Sequence, residues 1–198
     1  MIALRERSDF AGRIAKYRMK TTMKIALIGY SGSGKSTLAQ KLGKQYGAEV
    51  LHIDTVHWLP GWQERPREEK ERIMEDFLNT HDAWVIDGNY KKLSFDRRME
   101  EADRIIFMAF NRFSCLWRVY KRYRTYKGKT RASMTEGCDE KLDREFLMWI
   151  LRDGRSKKHR MAYRKVLEQY PEKVEVIRNQ RQLNAFEKRM TEDLTDGR

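Results

Sequence analysis

An α/β fold, a five-stranded parallel sheet with helices on both faces, is what this sequence predicts, on three observations. The apolar run Lys24-Ile25-Ala26-Leu27-Ile28 leads into Gly29-Tyr30-Ser31-Gly32-Ser33-Gly34-Lys35-Ser36, which fits GxxxxGK[ST] at every fixed position. Four more short, largely apolar runs follow at intervals, the pattern of strands buried on both faces. Amphipathic stretches at helical spacing separate them, giving the order βαβαβαβααβα. With the glycine-rich motif these make a P-loop NTPase fold, in which the two basic helical stretches after the fourth strand form the lid.

The motif follows from what a triphosphate requires. Glycines at 29, 32 and 34 let the backbone approach a ligand and turn successive N–H groups toward phosphate oxygens. The next helix has Leu38, Ala39, Leu42 and Tyr46 on one face and Gly47 as its stop, and it adds its N-terminal N–H groups and dipole. Lys35 then reaches the β- and γ-phosphates and Ser36 ligates Mg²⁺.

Residues 49–54 read as a second strand ending at Asp54, which faces the same crevice, since ligands sit beyond the carboxyl ends of parallel strands. His57, Trp58, Pro60, Gly61 and Trp62 form a turn-rich loop before a charged helix over residues 66–79. Trp58 and Trp62 either line an acceptor pocket or pack that helix onto the sheet; His57 reads as structural. Residues 83–87 are a third apolar strand closed by Asp87, the Walker B pattern of a Mg²⁺-binding carboxylate, with Asn89 and Tyr90 at the cleft mouth.

The fourth strand, residues 104–110, leads into a helix with Phe113, Leu116, Trp117, Tyr120 and Tyr123 at core spacing and Arg118 and Arg122 on another face. No acid interrupts the cations from residue 112 to 131. A mobile loop is expected over 125–139, a helix over 140–152, a further basic group at Arg155, Lys157, Lys158 and Arg160, a fifth strand over 173–178 and a last amphipathic helix with Leu183, Phe186 and Met190. Of these cations, Arg112, Arg122 and Arg155 are the candidates to stabilise a transferring phosphoryl group.

Composition sets outer bounds. In 198 residues, 42 Lys and Arg against 29 Asp and Glu give a net charge of +13, which favours anionic partners without naming them. Residues 1–22, with six cations and two acids, read as a basic arm, an extra helix or a translation-start artefact. No apolar run approaches the roughly 20 residues of a membrane span, and no signal peptide is evident, so a cytoplasmic protein is expected. Cys115 and Cys138 lie in unlike contexts, without metal-ligand spacing, and read as free thiols.

GYSGSGKST, HID with its Trp-Pro-Gly-Trp loop, WVIDGNY, the Arg-rich helix and EGCDEK before FLMWI together resemble the bacterial proteins labelled "DNA topology modulation protein", related to adenylate kinase within the nucleoside monophosphate kinase-like branch. The resemblance covers about residues 23–190. It implies an ATP-dependent, Mg²⁺-dependent kinase-like domain there, with residues 1–22 as an extension, a lid near 113–160 and a tail over 191–198. It further implies that residues 29–37, including Ser31, Ser33 and Thr37, bind ATP phosphates, that Arg118 and Arg122 contact ATP from the lid hinge, and that Asn179 lies in the adenine loop. Asp54 would orient the acceptor hydroxyl, and Lys35, Asp54, Asp87, Arg112 and Arg122 make up the catalytic set. Asn89-Tyr90-Lys91 replaces the Phe-Pro-Arg that follows the Asp-Gly pair in adenylate kinase, and the aromatic loop replaces an arginine segment; both argue against AMP as acceptor. The family label offers a nucleic-acid-associated regulatory ATPase as the alternative.

Overall fold

The computed structural model describes residues 22–195. The extension read over residues 1–22 therefore lies almost wholly outside the described residues. Five parallel strands build the main sheet: β1 (Lys24–Gly29), β2 (Glu49–His52), β5 (Trp84–Asp87), β6 (Arg104–Met108) and β7 (Val174–Ile177), in the order β2-β5-β1-β6-β7. The P-loop strand β1 is thus central, and its register sets Leu27 beside Asp87 on one side and Ile106 on the other. A two-residue hairpin, β3 (Trp58–Leu59) with β4 (Gln63–Glu64), lies within the aromatic loop.

Along β1 the side chains alternate between two cores. Ile25 and Leu27 pack with Leu38 and Leu42 of α1 (Lys35–Tyr46), Cys115 and Val119 of α5 (Arg112–Tyr126), Ile150 of α6 (Arg144–Leu151) and Phe186 of α8 (Gln180–Thr195). Ala26 and Ile28 pack on the other face with Val56 of α2 (Ile53–His57), Met74 and Leu78 of α3 (Arg67–Thr80), Met99 of α4 (Phe95–Glu101) and Val166 of α7 (Lys157–Gln169). This two-sided covering is what the uninterrupted apolar strands required. Each fully buried Leu or Ile contributes about 1.5–3 kcal/mol.

Local chemistry sets the helix ends. Gly47 closes α1 in a left-handed conformation, φ 60°, with its N–H on Gly43 O. Asn111 and Asp143 cap α5 and α6, accepting from Ser114 N at 2.9 Å and Phe146 N at 2.8 Å.

Four expectations are corrected. The second strand stops at His52, and Asp54 stands in the first turn of α2. The helix expected over 140–152 begins only at Arg144, because Asp143 is its cap and Glu140 is engaged elsewhere. The basic group at 157–160 opens a full helix, α7, whose Tyr163 stacks on Phe107 at 4.5 Å. On α5, Phe113, Trp117 and Tyr120 face solvent, not core, at 72%, 56% and 42% exposure. The core stripe is Cys115 and Val119, with Leu116 half-buried: a 15-residue helix rich in aromatics offers more apolar positions than one face can bury.

Candidate active site

The phosphate loop is shaped by backbone that only glycine tolerates. Gly29 has φ 137°, and a Cβ there would meet Met108 O at 2.4 Å; at Gly32, φ 78°, it would meet Cys115 O at 2.7 Å. Gly34 caps α1 in the left-handed region, with no side-chain cap and no acid in the first turn, so the helix end offers its N–H groups and dipole without internal competition. Lys35 Nζ donates to Gly29 O at 3.1 Å and Tyr30 O at 3.2 Å. Ser33 Oγ is buried with no hydrogen-bond partner among the described residues.

Asp87 sits beside the cradle. Its Oδ2 is 3.2 Å from His52 Nδ1, on the strand alongside, and the Ser36 hydroxyl is close enough to act on its carboxyl. Burial pushes this carboxyl up. The His52 hydrogen bond, the Lys35 charge and the Ser36 hydroxyl outweigh that and hold it below the usual carboxylate range. An ionised carboxylate next to the Ser36 hydroxyl fits a Mg²⁺ that keeps most of its ligands as water and phosphate. No cluster of three or more His, Cys, Asp or Glu among the described residues would cage a metal without a nucleotide.

The loop after β5 is fixed to the P-loop. Asn89 accepts from Gly29 N at 2.8 Å and donates to Gly29 O at 2.6 Å, satisfying both polar groups of one residue. Beneath it Arg98, fully buried, donates to the carbonyls of Leu93 at 3.0 Å, Gly88 at 3.2 Å and Tyr90 at 2.9 Å. No carboxylate among the described residues pairs with it, and burial draws its guanidinium down to about 9. Sequence reasoning missed Arg98 and His52, and it left Asn89 at the cleft mouth without a partner. The only signal was WVIDGNY itself, in which a polar Gly-Asn-Tyr follows a buried strand.

Asp54 faces this loop. Tyr90 Oη donates to Asp54 Oδ1 at 2.8 Å, and burial and the Asp54 charge push the phenol up, keeping it a donor. His57 lies against Tyr90 (ring centroids 4.5 Å) and edge-on to Trp58 (4.6 Å). Burial, then the Lys70 charge, lowers the His57 pKa below 6.5, favouring neutral imidazole.

The lid cations divide. Arg118 stacks over Phe110 at 4.2 Å, donates to Ser33 O at 3.0 Å and bonds Gln180, so it joins the P-loop to the start of α8. Arg122, four residues on, turns to Glu140 (2.8 and 2.6 Å), which Arg131 also holds at 2.7 Å. Burial, then the Arg131 charge, draws the Arg122 pKa down; Asp54 is among the charges that raise it. Arg155 is pinned, donating to Ile150 O at 3.1 Å and Phe110 O at 2.9 Å and lying 3.7 Å over the Tyr30 ring. Trp149 Nε1 donates to Ser31 Oγ at 3.2 Å, which brings α6 onto the phosphate loop. Arg112 is exposed in the first turn of α5 and enters none of these contacts, Thr37 is exposed in α1, and Asn179 caps α8 by accepting from Gln182 N at 2.9 Å.

The structure thus sets Lys35, Ser36 and Asp87 together, ties Arg118 to the P-loop through Ser33 O, and holds Asp54 through Tyr90 of the loop that braces Gly29. No protein-family model and no curated protein matches the chain. Solved structures do. TT1252 from Thermus thermophilus aligns with a TM-score of 0.51 at 17% identity, over 89% of this chain and 98% of that one. A shikimate kinase from Acinetobacter baumannii aligns at 0.46 and 13%, over 92% and 98%. A gluconokinase from Sinorhizobium meliloti aligns at 0.46 and 15%, over 90% and 92%. At these identities the likeness is one of fold, and with the central P-loop strand and its parallel sheet it makes this chain a P-loop NTPase fold.

Proposed function

We propose that this chain is an ATP-dependent phosphotransferase that moves the γ-phosphoryl group to a hydroxyl of a small acceptor. One observation supports the reading: the loop whose Asn89 braces the P-loop at Gly29 also holds, through Tyr90, a second carboxylate, Asp54. The backbone of residues 29–37 and Lys35 bind the phosphates. The unpartnered Ser33 hydroxyl lies within that cradle. Ser36 directly, and Asp87 directly or through water, would hold a Mg²⁺, which would supply charge neutralisation to the transferring phosphoryl group.

Asp54 Oδ1 is taken by Tyr90, which orients the carboxylate so that its other oxygen accepts the acceptor proton. The acceptor oxygen bonds to the γ-phosphorus as the bond to the bridging oxygen breaks, and ADP leaves. Arg118 contributes charge from the nucleotide side and Arg122 from the lid. Arg112 is the weaker candidate because it is exposed, and Asn179 serves the adenine loop through its backbone while its side chain caps α8. Shikimate and gluconate kinases appear among the similar folds, and small hydroxylated acceptors are the class this cleft suits.

The test is ATP consumption with a panel of nucleosides, nucleoside monophosphates and small hydroxylated metabolites. One acceptor should stimulate turnover, and Lys35→Ala should weaken ATP binding about 100-fold, the scale of losing charge-assisted hydrogen bonds. Unchanged ATP affinity in that variant would sink the cradle assignment.

A specific observation favours a second reading, the nucleic-acid-associated ATPase of the "DNA topology modulation protein" group. The exposed Trp117 and Tyr120 rings stack at 5.8 Å, Lys121 lies 5.1 Å over Trp117, and Arg112 and Arg124 are exposed beside them. Aromatics with cations suit single-stranded nucleic acid. Binding of an oligonucleotide that falls steeply with salt and drops in Trp117→Ala/Tyr120→Ala would support it; a silent double variant would dismiss it.

A further inference from the structure

The segment expected as a mobile loop is docked on the helix that carries Asp54. Thr135 Oγ1 lies 2.6 Å from Trp58 O, to which it donates, and 3.3 Å from Thr55 O. Thr55 is the neighbour of Asp54, and Trp58 is the C-cap of α2; with Asp54 O taken by the cap N–H and Val56 O and His57 O by Arg65, Thr135 serves the two carbonyls between and beyond them. Next to this contact, Cys138 Sγ donates to Leu59 O at 3.2 Å, and Gly61 N donates to Gly137 O at 3.1 Å.

At its base the segment is closed by Glu140. Its N–H donates to Lys129 O at 3.2 Å, and its buried carboxylate holds both Arg122 and Arg131. Residues 129–140 are therefore a closed loop with a fixed base and a tip hydrogen-bonded to the acceptor side. Asp54 is held by Tyr90 through its side chain, and its neighbour Thr55 by the loop tip through its carbonyl.

We propose that residues 133–140 form an acceptor-side gate whose docking orients the Asp54 helix, and that Thr135 is a positioning residue for Asp54. The inference rests on the kinase reading for the role of Asp54 but not for the gate itself. Docked, the tip caps α2 and fixes the free Asp54 oxygen; lifted, it opens the seam at Trp58, Leu59 and Gly61 and admits the acceptor. The base stays anchored meanwhile, with Glu140 holding Arg122 and Arg131.

Cys138, 2% exposed in the seam, reports the motion, and the buried Cys115, outside the seam, serves as control. The experiment is alkylation of the native full-length chain by iodoacetamide, resolved by peptide, in wild type, Thr135→Val and Thr135→Ser. Losing one hydrogen bond should raise Cys138 labelling about fivefold in Thr135→Val, with Cys115 unchanged and Thr135→Ser near wild type. Cys138 labelling equal to wild type overturns the gate, and so does a parallel rise at both thiols, which marks global loosening.

With an acceptor in hand, Thr135→Val should lower kcat about fivefold at unchanged ATP affinity, and normal kcat with raised Cys138 labelling would overturn the positioning role. If no acceptor stimulates turnover, the kinase reading fails while the thiol measurement still decides the gate.

Discussion

The two halves of the cleft are built on opposite plans. The phosphate side is one contiguous stretch, residues 29–37, made mostly of backbone and shaped by glycines at positive φ. The proposed acceptor side draws on side chains from α2, the loop after β5, α5 and the 129–140 loop, which only the tertiary fold unites. A phosphate needs convergent N–H groups, which any run of the right local geometry supplies. Recognition of an acceptor needs particular side chains at fixed separations, and on the proposed reading those would depend on Tyr90, Arg98, Thr135 and Glu140 being correctly packed. Damage to the first half should therefore appear as lost nucleotide affinity, and damage to the second as lost turnover.

The sharpest way to break this division is Asp54→Asn. Turnover should fall on the order of 10²- to 10⁴-fold, the range for a general base, with ATP affinity nearly unchanged by calorimetry. Normal kcat would return Asp54 to a structural role.

Arg98→Met tests whether the halves share a support. Three carbonyls of the loop carrying Asn89 and Tyr90 would lose their donor in a buried site, costing about 3 kcal/mol of stability in denaturant unfolding. Both ATP affinity and turnover should suffer, since Asn89 serves one half and Tyr90 the other. Asn89→Ala is milder: with both Gly29 bonds gone the cradle is less well ordered, and ATP affinity should drop about tenfold, or ~1.4 kcal/mol, with kcat at saturation little altered.

The smallest effect is that of pH. Asp87, lowered in the fold, gives stability that is present above the ordinary carboxylate range and is lost as pH falls through its lowered pKa. His57 is also lowered, so the unfolded chain takes up its proton first, and stability begins to fall as pH drops through 6.5. The unfolding free energy from urea titrations should therefore decline from pH 7 to 5 by well under ~1.4 kcal/mol per pH unit, since solvent reaches the ring. His57→Gln should flatten that decline and leave the steeper acid loss to Asp87.

Much of the phosphate side was legible because its determinants are local. Gly29, Gly32, Gly34, Lys35 and Ser36 act within one turn of chain, and an apolar strand ending at Asp87 announces a carboxylate at the sheet edge. Tertiary packing decided the rest. Asp54 was readable as a residue but not as part of a helix, because a five-residue helix has too few positions to show a period. The exposed face of α5 looked like core because spacing alone does not say which of several apolar stripes meets the sheet.

By itself, then, the amino-acid sequence determined the order of the five main strands along the chain, the glycine-rich turn with its lysine and serine, and the unbroken positive charge of residues 112–131, all properties of neighbouring residues. Only the tertiary structure decided that Asn89 braces Gly29, that Arg98 props the loop from below, and that Thr135 reaches the Asp54 helix. Each of those contacts joins segments between 5 and 80 residues apart, and most join segments far enough apart that no local pattern records the pairing.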